Sequence, residues 1–296
     1  MSLGFVLAAL MCQSAYAENI AAVESETGGG QHGVQYFNEE LQVEGSFNTA
    51  SALNSIAFAS KSNNDVYATS NNAIDLYNSA GKVLKSFSGQ ASDNFQSIAV
   101  SSSDRIYVAD NTSQPGVQEV LEFNGALQEI GSFSFSAPIS GLSVGPGNEL
   151  FITTVQNEFR TTVHGAVLSQ YNGFGADSFL GSTYNDGTVD IADNTTSGDR
   201  GVVEFDPTLG SHTVFFTINP ITGIASDQSG NVFTSQGPDI VSYSSTGTLL
   251  DQFTGSGVES YSGIAVQPAT SAPGPSAVLM FAAPVGLYLV RRRKGK

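Results

Sequence analysis

Ser97–Asp110 reads SIAVSSSDRIYVAD. Two short β-prone apolar runs, Ile98–Val100 and Ile106–Val108, flank a Ser/Asp segment that can continue neither. This is the pattern of two strands joined by a tight turn. The unit recurs as SIAFASKSNNDVYATS from Ser55, GLSVGPGNELFITT from Gly141, LGSTYNDGTVDIAD from Leu180 and GIASDQSGNVFTSQ from Gly223. A final first strand, GIAV, stands at Gly263–Val266. The starts lie 42, 44, 39, 43 and 40 residues apart. A steady period near 40 residues with strand content means a propeller or a solenoid.

Two more strands follow each unit. After Ser97–Asp110 come Val117–Phe123 and Leu127–Phe133; after Ser55–Ser70 come Ile74–Tyr77 and Val83–Phe87. Four strands with hairpin turns make one propeller blade. The N-terminal region supplies strands at Ile20–Val23, Val34–Phe37 and Leu41–Phe47 but no first strand, whereas Gly263–Val266 is a first strand without the other three. The expectation is an all-β, six-bladed β-propeller over residues 18–267, with one blade shared between the chain ends. Such closure leaves no open sheet end. Ala57, Ala99, Ser143, Ala225 and Ala265 alternate with larger residues in the first strands. They are expected to face the crowded central channel while the larger residues pack between blades.

Composition narrows function. Charged residues are 13 % of the chain, and residues 18–267 hold six basic against 27 acidic side chains, a formal charge near −21. Such a field repels phosphate backbones, which argues against a nucleic-acid partner. The one cysteine, Cys12, falls in residues 1–17, MSLGFVLAALMCQSAYA, an apolar run ending in the A-x-A pattern Ala15-Tyr16-Ala17. This reads as a signal peptide. A mature chain then has no disulfide, thiol nucleophile or thiolate metal site. At the other end, a Pro/Ser-rich linker (268–275) leads to an uncharged apolar run, Ser276–Val290, expected to form a short hydrophobic helix. Arg291-Arg292-Arg293-Lys294 follows, the signature of a cytoplasmic stop.

Two resemblances follow from these residues. The tail, with Pro273-Gly274-Pro275-Ser276, an apolar helix and the cluster Arg291, Arg292, Arg293, resembles the PEP-CTERM sorting signal, with Gly where Glu is usual. That resemblance implies export, transient membrane anchoring, an exosortase-type processing enzyme as partner, and association with exopolysaccharide or biofilm at the cell surface or in the matrix. A plain tail anchor is the alternative. The blades resemble NHL-type repeats, best over Ser97–Phe133 and Gly223–Phe253. This implies a six-bladed propeller on which function varies widely.

No nucleophile elbow, zincin, P-loop or dinucleotide motif is present. His32, His164 and His212 fall outside the innermost strands. No metal-binding triad is expected from them, and no catalytic residue is assigned. The loops between second and third strands should share one rim. They nominate Asn71, Asn72, Asp110, Asn111, Arg160, Asp193, Asn194 and Arg200 as binding residues. Arg160 and Arg200 would suit a carboxylate or uronic acid; Arg200 pairing with Asp193 or Asp199 in its own blade is the competing reading. The Asn/Asp clusters serve either as turn formers or as oxygen ligands for Ca²⁺. The expected role is a non-catalytic binding module for polysaccharide or a surface protein. The alternative is a metal-dependent lactonase or lyase with acidic, amide or histidine ligands at the channel mouth.

Overall fold

A computed structural model describes residues 19–268, apart from 27–31, 62–63, 113–117, 174, 176, 186, 196–199, 218 and 258. The signal peptide, the linker beyond residue 268, and the expected hydrophobic helix and basic tail all lie outside the described residues. Among those described, no helix is long and apolar enough to cross a membrane.

The chain forms six four-stranded antiparallel sheets. Three strands of the first blade are β1 (Ile20–Glu26), β2 (His32–Phe37) and β3 (Val43–Thr49). The second blade is β4 (Ser55–Phe58), β5 (Val66–Ser70), β6 (Ala73–Tyr77) and β7 (Val83–Ser88). The third is β8 (Phe95–Val100), β9 (Ile106–Asn111), β10 (Gln118–Phe123) and β11 (Glu129–Phe135). The fourth is β12 (Ile139–Val144), β13 (Glu149–Thr154), β14 (Asn157–Thr162) and β15 (Val167–Asn172). The fifth is β16 (Phe179–Asn185), β17 (Thr188–Asp193), β18 (Gly201–Phe205) and β19 (His212–Phe216). The sixth is β20 (Gly223–Ser226), β21 (Val232–Gln236), β22 (Asp239–Tyr243) and β23 (Leu249–Thr254). The chain then returns as β24 (Glu259–Val266), which pairs with β1 and completes the first blade. The expected six-bladed ring with one shared blade is the observed architecture.

Each blade carries one rung of the same taper, read from the channel outward. The rungs are Gly263–Val23–Val34–Phe47, Ser55–Thr69–Ile74–Phe87, Ser97–Ala109–Val120–Phe133, Gly141–Thr153–Glu158–Tyr171, Gly181–Ala192–Val202–Phe215 and Gly223–Ser235–Ile240–Phe253. Blades converge on the axis and diverge outward, so the gap to the next blade is a wedge. Gly or Ser fills its thin edge and an aromatic ring its thick one, keeping close packing throughout. At the thin edge the backbones nearly touch: a Cβ on Gly141 would sit 2.5 Å from Gly181 Cα.

The first-strand small residues Ala57, Ala99, Ser143, Ala225 and Ala265 line the channel as expected, and the alanines also pack between blades. Ala99 and Ala265 are buried in the interface with the following blade, and Ala57 packs into the corresponding interface. Each sheet stands radially, so both of its faces meet neighbouring blades and the channel sees strand edges. The larger residues Ile56, Ile98, Leu142, Ile224 and Ile264 pack backward against the preceding blade.

The blades also alternate. In the hairpins between third and outer strands, the first, third and fifth blades place Leu41, Leu127 and Leu209 at φ 54°, 57° and 59°. The second, fourth and sixth place Gly81, Gly165 and Gly247 there, each against Phe47, Phe133 or Phe215 of the preceding blade. The crossings that start at Gly89, Gly173 and Gly255 repeat one loop, with the glycine N–H donating to the carbonyl of Asn72, Gln156 or Pro238. Those glycines stand 84 and 82 residues apart. The ring is therefore three copies of a two-blade unit, a longer period nested inside the single-blade one.

The wedge packing makes a direct prediction. Gly141→Ala must displace backbone and should cost ~1–3 kcal/mol. Gly45→Ala, whose added Cβ would meet nothing within 4 Å, should change stability by no more than about 0.5 kcal/mol. Urea unfolding of the two variants checks this.

Candidate functional site

The rim residues nominated from sequence divide into two groups. Asp110–Asn111 and Asp193–Asn194 end β9 and β17, and both pairs do the same work. Each Asp side chain accepts the backbone N–H that enters its own blade's inner strand, from Asn94 at 2.8 Å and from Ser178 at 2.9 Å. Each Asn amide reaches the next blade and makes two bonds to one residue. Asn111 Nδ2 donates to Ile139 O at 2.7 Å while its Oδ1 accepts from Ile139 N at 2.9 Å. Asn194 does likewise with Ile221, at 2.7 and 2.8 Å. The other interfaces have their own clasps: Asn54 to Phe95 O, Ser140 to Phe179 O, Thr222 to Tyr261 O, and Tyr36 Oη to Asn64 O. Every blade is thus tied to the next by a side chain bonded to backbone.

The rest lie apart from one another. Asn72 donates to Gln90 O at 3.3 Å, and Asn71 is exposed beside it. Arg160 is not in a rim loop. It sits within β14, and its guanidinium makes a bidentate pair with Glu149 at 2.7 and 2.8 Å toward the opposite face. Arg200 precedes β18, and its Nε is buried without a hydrogen-bond partner among the described residues. Asp193 spends its carboxylate on Ser178 and Thr195. His32 and His212 open the third and outer strands β2 and β19, and His212 packs against Tyr171 and Phe205. Among the described residues, no three His, Cys, Asp or Glu side chains gather as a metal site would require. Asp227 serves as a turn former, accepting from the N–H groups of Ser229 and Asn231 and from the Asn231 amide.

The six inner strands surround a central channel of about 740 Å³. Its lining is Gly, Ala and Ser with aliphatic flanks, and amide or hydroxyl side chains mark both mouths: Asn54, Gln96, Ser140 and Ser262 at one, Gln228 and Gln267 at the other. Among the described lining residues there is no His, Lys, Arg or Cys, and Asp227 is the single carboxylate. The first and last described residues of the propeller come together at the second mouth, where Gln267 N donates to Asn19 O at 2.8 Å.

One sector of this wall is unlike the rest. Ser143, Ser182, Thr183 and Ser226 place hydroxyls along it from the fourth blade to the sixth. Thr153 Oγ1 donates to Ser182 Oγ at 2.8 Å, and Ser143 and Ser182 hydroxyls lie 3.4 Å apart. Behind them, between the fourth and fifth blades, Glu158 is completely buried, and neither carboxylate oxygen has a hydrogen-bond partner among the described residues. Burial pushes its carboxyl up to about 8, against a smaller opposing pull from the hydroxyls of Thr153 and Ser182. On the other face of the fifth blade Asp190 is 2 % exposed; burial, with Glu204 beside it, pushes it up to about 7. Sequence reasoning passed over both acids. The signal was present: each breaks a position that is apolar in the other blades.

No family model matches this chain, and no curated protein matches it. Solved structures do. A protein of unknown function from Bacteroides caccae superposes with TM-score 0.66 at 12 % identity, covering 86 % of this chain and all of that one. TolB from Acinetobacter baumannii gives TM-score 0.65 at 14 % identity over 85 % of this chain and 67 % of that one. A streptogramin B lyase gives 0.55 at 15 % identity over 70 % of each. At these identities the likeness establishes the propeller fold and leaves function open.

Two predictions follow. Asn111→Ala and Asn194→Ala each strand an N–H and a C=O on the next blade, and should each cost ~1–3 kcal/mol in denaturant unfolding. For Glu158 the folded-state value lies above the unfolded one, so stability is highest at acid pH and is lost as pH rises through the folded value. In N-methylglucamine buffers, whose cation is too bulky for a buried site, the melting temperature should fall from pH 5 to pH 8. Glu158→Gln should lessen that fall, leaving the part below pH 7 to which Asp190 contributes.

Proposed function

We propose that this chain is an exported, non-catalytic binding module that takes a neutral, hydroxyl-rich ligand, a saccharide segment, at its central channel. The observation that carries this reading is the channel's chemistry. Its mouths offer amides and hydroxyls, which pair with sugar hydroxyls as both donors and acceptors. Its one carboxylate, Asp227, is already committed to its own turn. Apart from Asp227, the described residues of the wall carry no charge to repel or demand charge in a ligand. The Asp–Asn pairs of the rim, engaged between blades, are poor candidates for recognition, so the contact surface moves inward to Gln96 and Ser262. Arg200 stays on the rim as the group for an acidic sugar. A hydrolytic reading needs several ligating side chains converging at one mouth, and the geometry favours binding over it.

The remaining elements of the proposal rest on sequence. The leader-like run ending in Ala15-Tyr16-Ala17 and the PEP-CTERM-like tail support export, transient anchoring and handling by an exosortase-type enzyme. A channel that binds saccharide fits a place in an exopolysaccharide-rich matrix.

Two measurements test it. In calorimetric titration with neutral oligosaccharides, Gln96→Ala and Ser262→Ala should each weaken binding about 2- to 10-fold, with melting temperature unchanged. Binding that these variants leave untouched would remove the channel reading. Mass spectrometry of protein recovered from cells and medium should show loss of residues 1–17 and of the tail near Pro273. An intact tail would leave a plain membrane anchor in place of sorting.

A further inference from the structure

The three two-blade units allow each side chain to be compared with its two counterparts in the same molecule. In the first unit Ile74 of β6 and Ile98 of β8 are buried together in one apolar interface. In the third, Ile240 of β22 and Ile264 of β24 do the same. In the second unit the corresponding residues are Glu158 of β14 and Ser182 of β16. Two positions 24 residues apart, facing each other across one interface, are both apolar in the first and third units and both polar in the second. Their surroundings follow. Ser143 stands where the other two units have Ala57 and Ala225, and Tyr171 where they have Phe87 and Phe253.

A buried carboxylate facing hydroxyls would be explained by a cation partner, yet among the described residues no basic side chain supplies one. Arg160, two residues along the same strand face, holds Glu149. What gathers instead is a set of hard oxygen donors: the two carboxylate oxygens of Glu158 and the hydroxyls of Thr153, Ser182 and Ser143. Hard oxygens select alkali and alkaline-earth ions over transition metals. One carboxylate neutralises one elementary charge, and a divalent ion here would leave net charge buried without a partner. We propose that the interface between the fourth and fifth blades is a binding site for a dehydrated monovalent cation, sodium or potassium, held by Glu158 with Thr153, Ser182 and Ser143. Ser143 and Ser182 also line the channel, which gives the ion its route in.

The test uses the whole mature protein at pH 8, first in N-methylglucamine chloride, then with sodium or potassium chloride replacing it at constant ionic strength. A bound ion raises the melting temperature saturably, by about 5 °C at one hundred times its dissociation constant. It also broadens the ²³Na resonance when sodium is the ion. Glu158→Gln should abolish both responses. Glu158→Ile with Ser182→Ile, which rebuilds the isoleucine pair of the other two units, should fold, melt higher and be indifferent to the cation. A response of the unaltered protein to sodium or potassium that both variants lack establishes the site. A melting temperature indifferent to both ions, or an equal response in the double variant, overturns it and leaves Glu158 as a buried neutral acid.

Discussion

The antiparallel pairing of β24 with β1 is the constraint on which the rest of this molecule depends. It joins Val266 to Ile20 and runs to Glu259 and Glu26. Without it the first blade would lack its inner strand, and two blade faces would open to solvent. With it, six sheets must share one axis, and that geometry dictates composition. The gap between blades closes to backbone contact at the centre, so Gly or Ser stands there, and it opens at the periphery, where Phe or Tyr fills it. Hydrophobic burial between blades supplies most of the stabilisation. The side-chain clasps fix where each blade docks on the next.

Within that frame the departures from repetition carry the information. A ring of six identical blades needs only apolar rungs. This ring places two carboxylic acids beside one blade, behind a line of hydroxyls that reaches the channel. Acids buried in this way oppose folding at neutral pH unless they are protonated or paired. Their place on the two faces of the fifth blade, behind the hydroxyls of the channel wall, gives the molecule a polar side that the other two units lack.

The architecture was legible because its cause is local. A Gly/Ser-flanked apolar run, a polar turn and a second run recur at a nearly constant interval, and the chain ends hold complementary parts of one blade. The two-blade period was harder to see, since it resides in hairpin residues such as Leu41 against Gly81 and in crossings such as Gly89–Phe95. The single-blade period masks both. Site residues were less legible for a physical reason. Asp and Asn at a strand end have the same composition whether they meet a ligand or a neighbouring backbone, and only the register of Asn111 on Ile139 separates the two. Arg160 looked like a loop residue because the turn before β14 is only two residues long, which brings it into the strand. Glu158 was legible in principle, since its rung holds Val or Ile in the other five blades.

Ring closure is the claim from which wedge packing, channel and polar sector all follow. Native-state hydrogen exchange tests it most directly. If closure by β24 and β1 holds the ring together, the amides of Ala22 and Ile264 should exchange only through global unfolding, with the same denaturant dependence as those of Val108 in β9 and Ile191 in β17. Exchange of Ala22 and Ile264 through a low-energy local opening, while Val108 and Ile191 remain protected, would show that the blades stack without needing the closing pair, and would contradict the account.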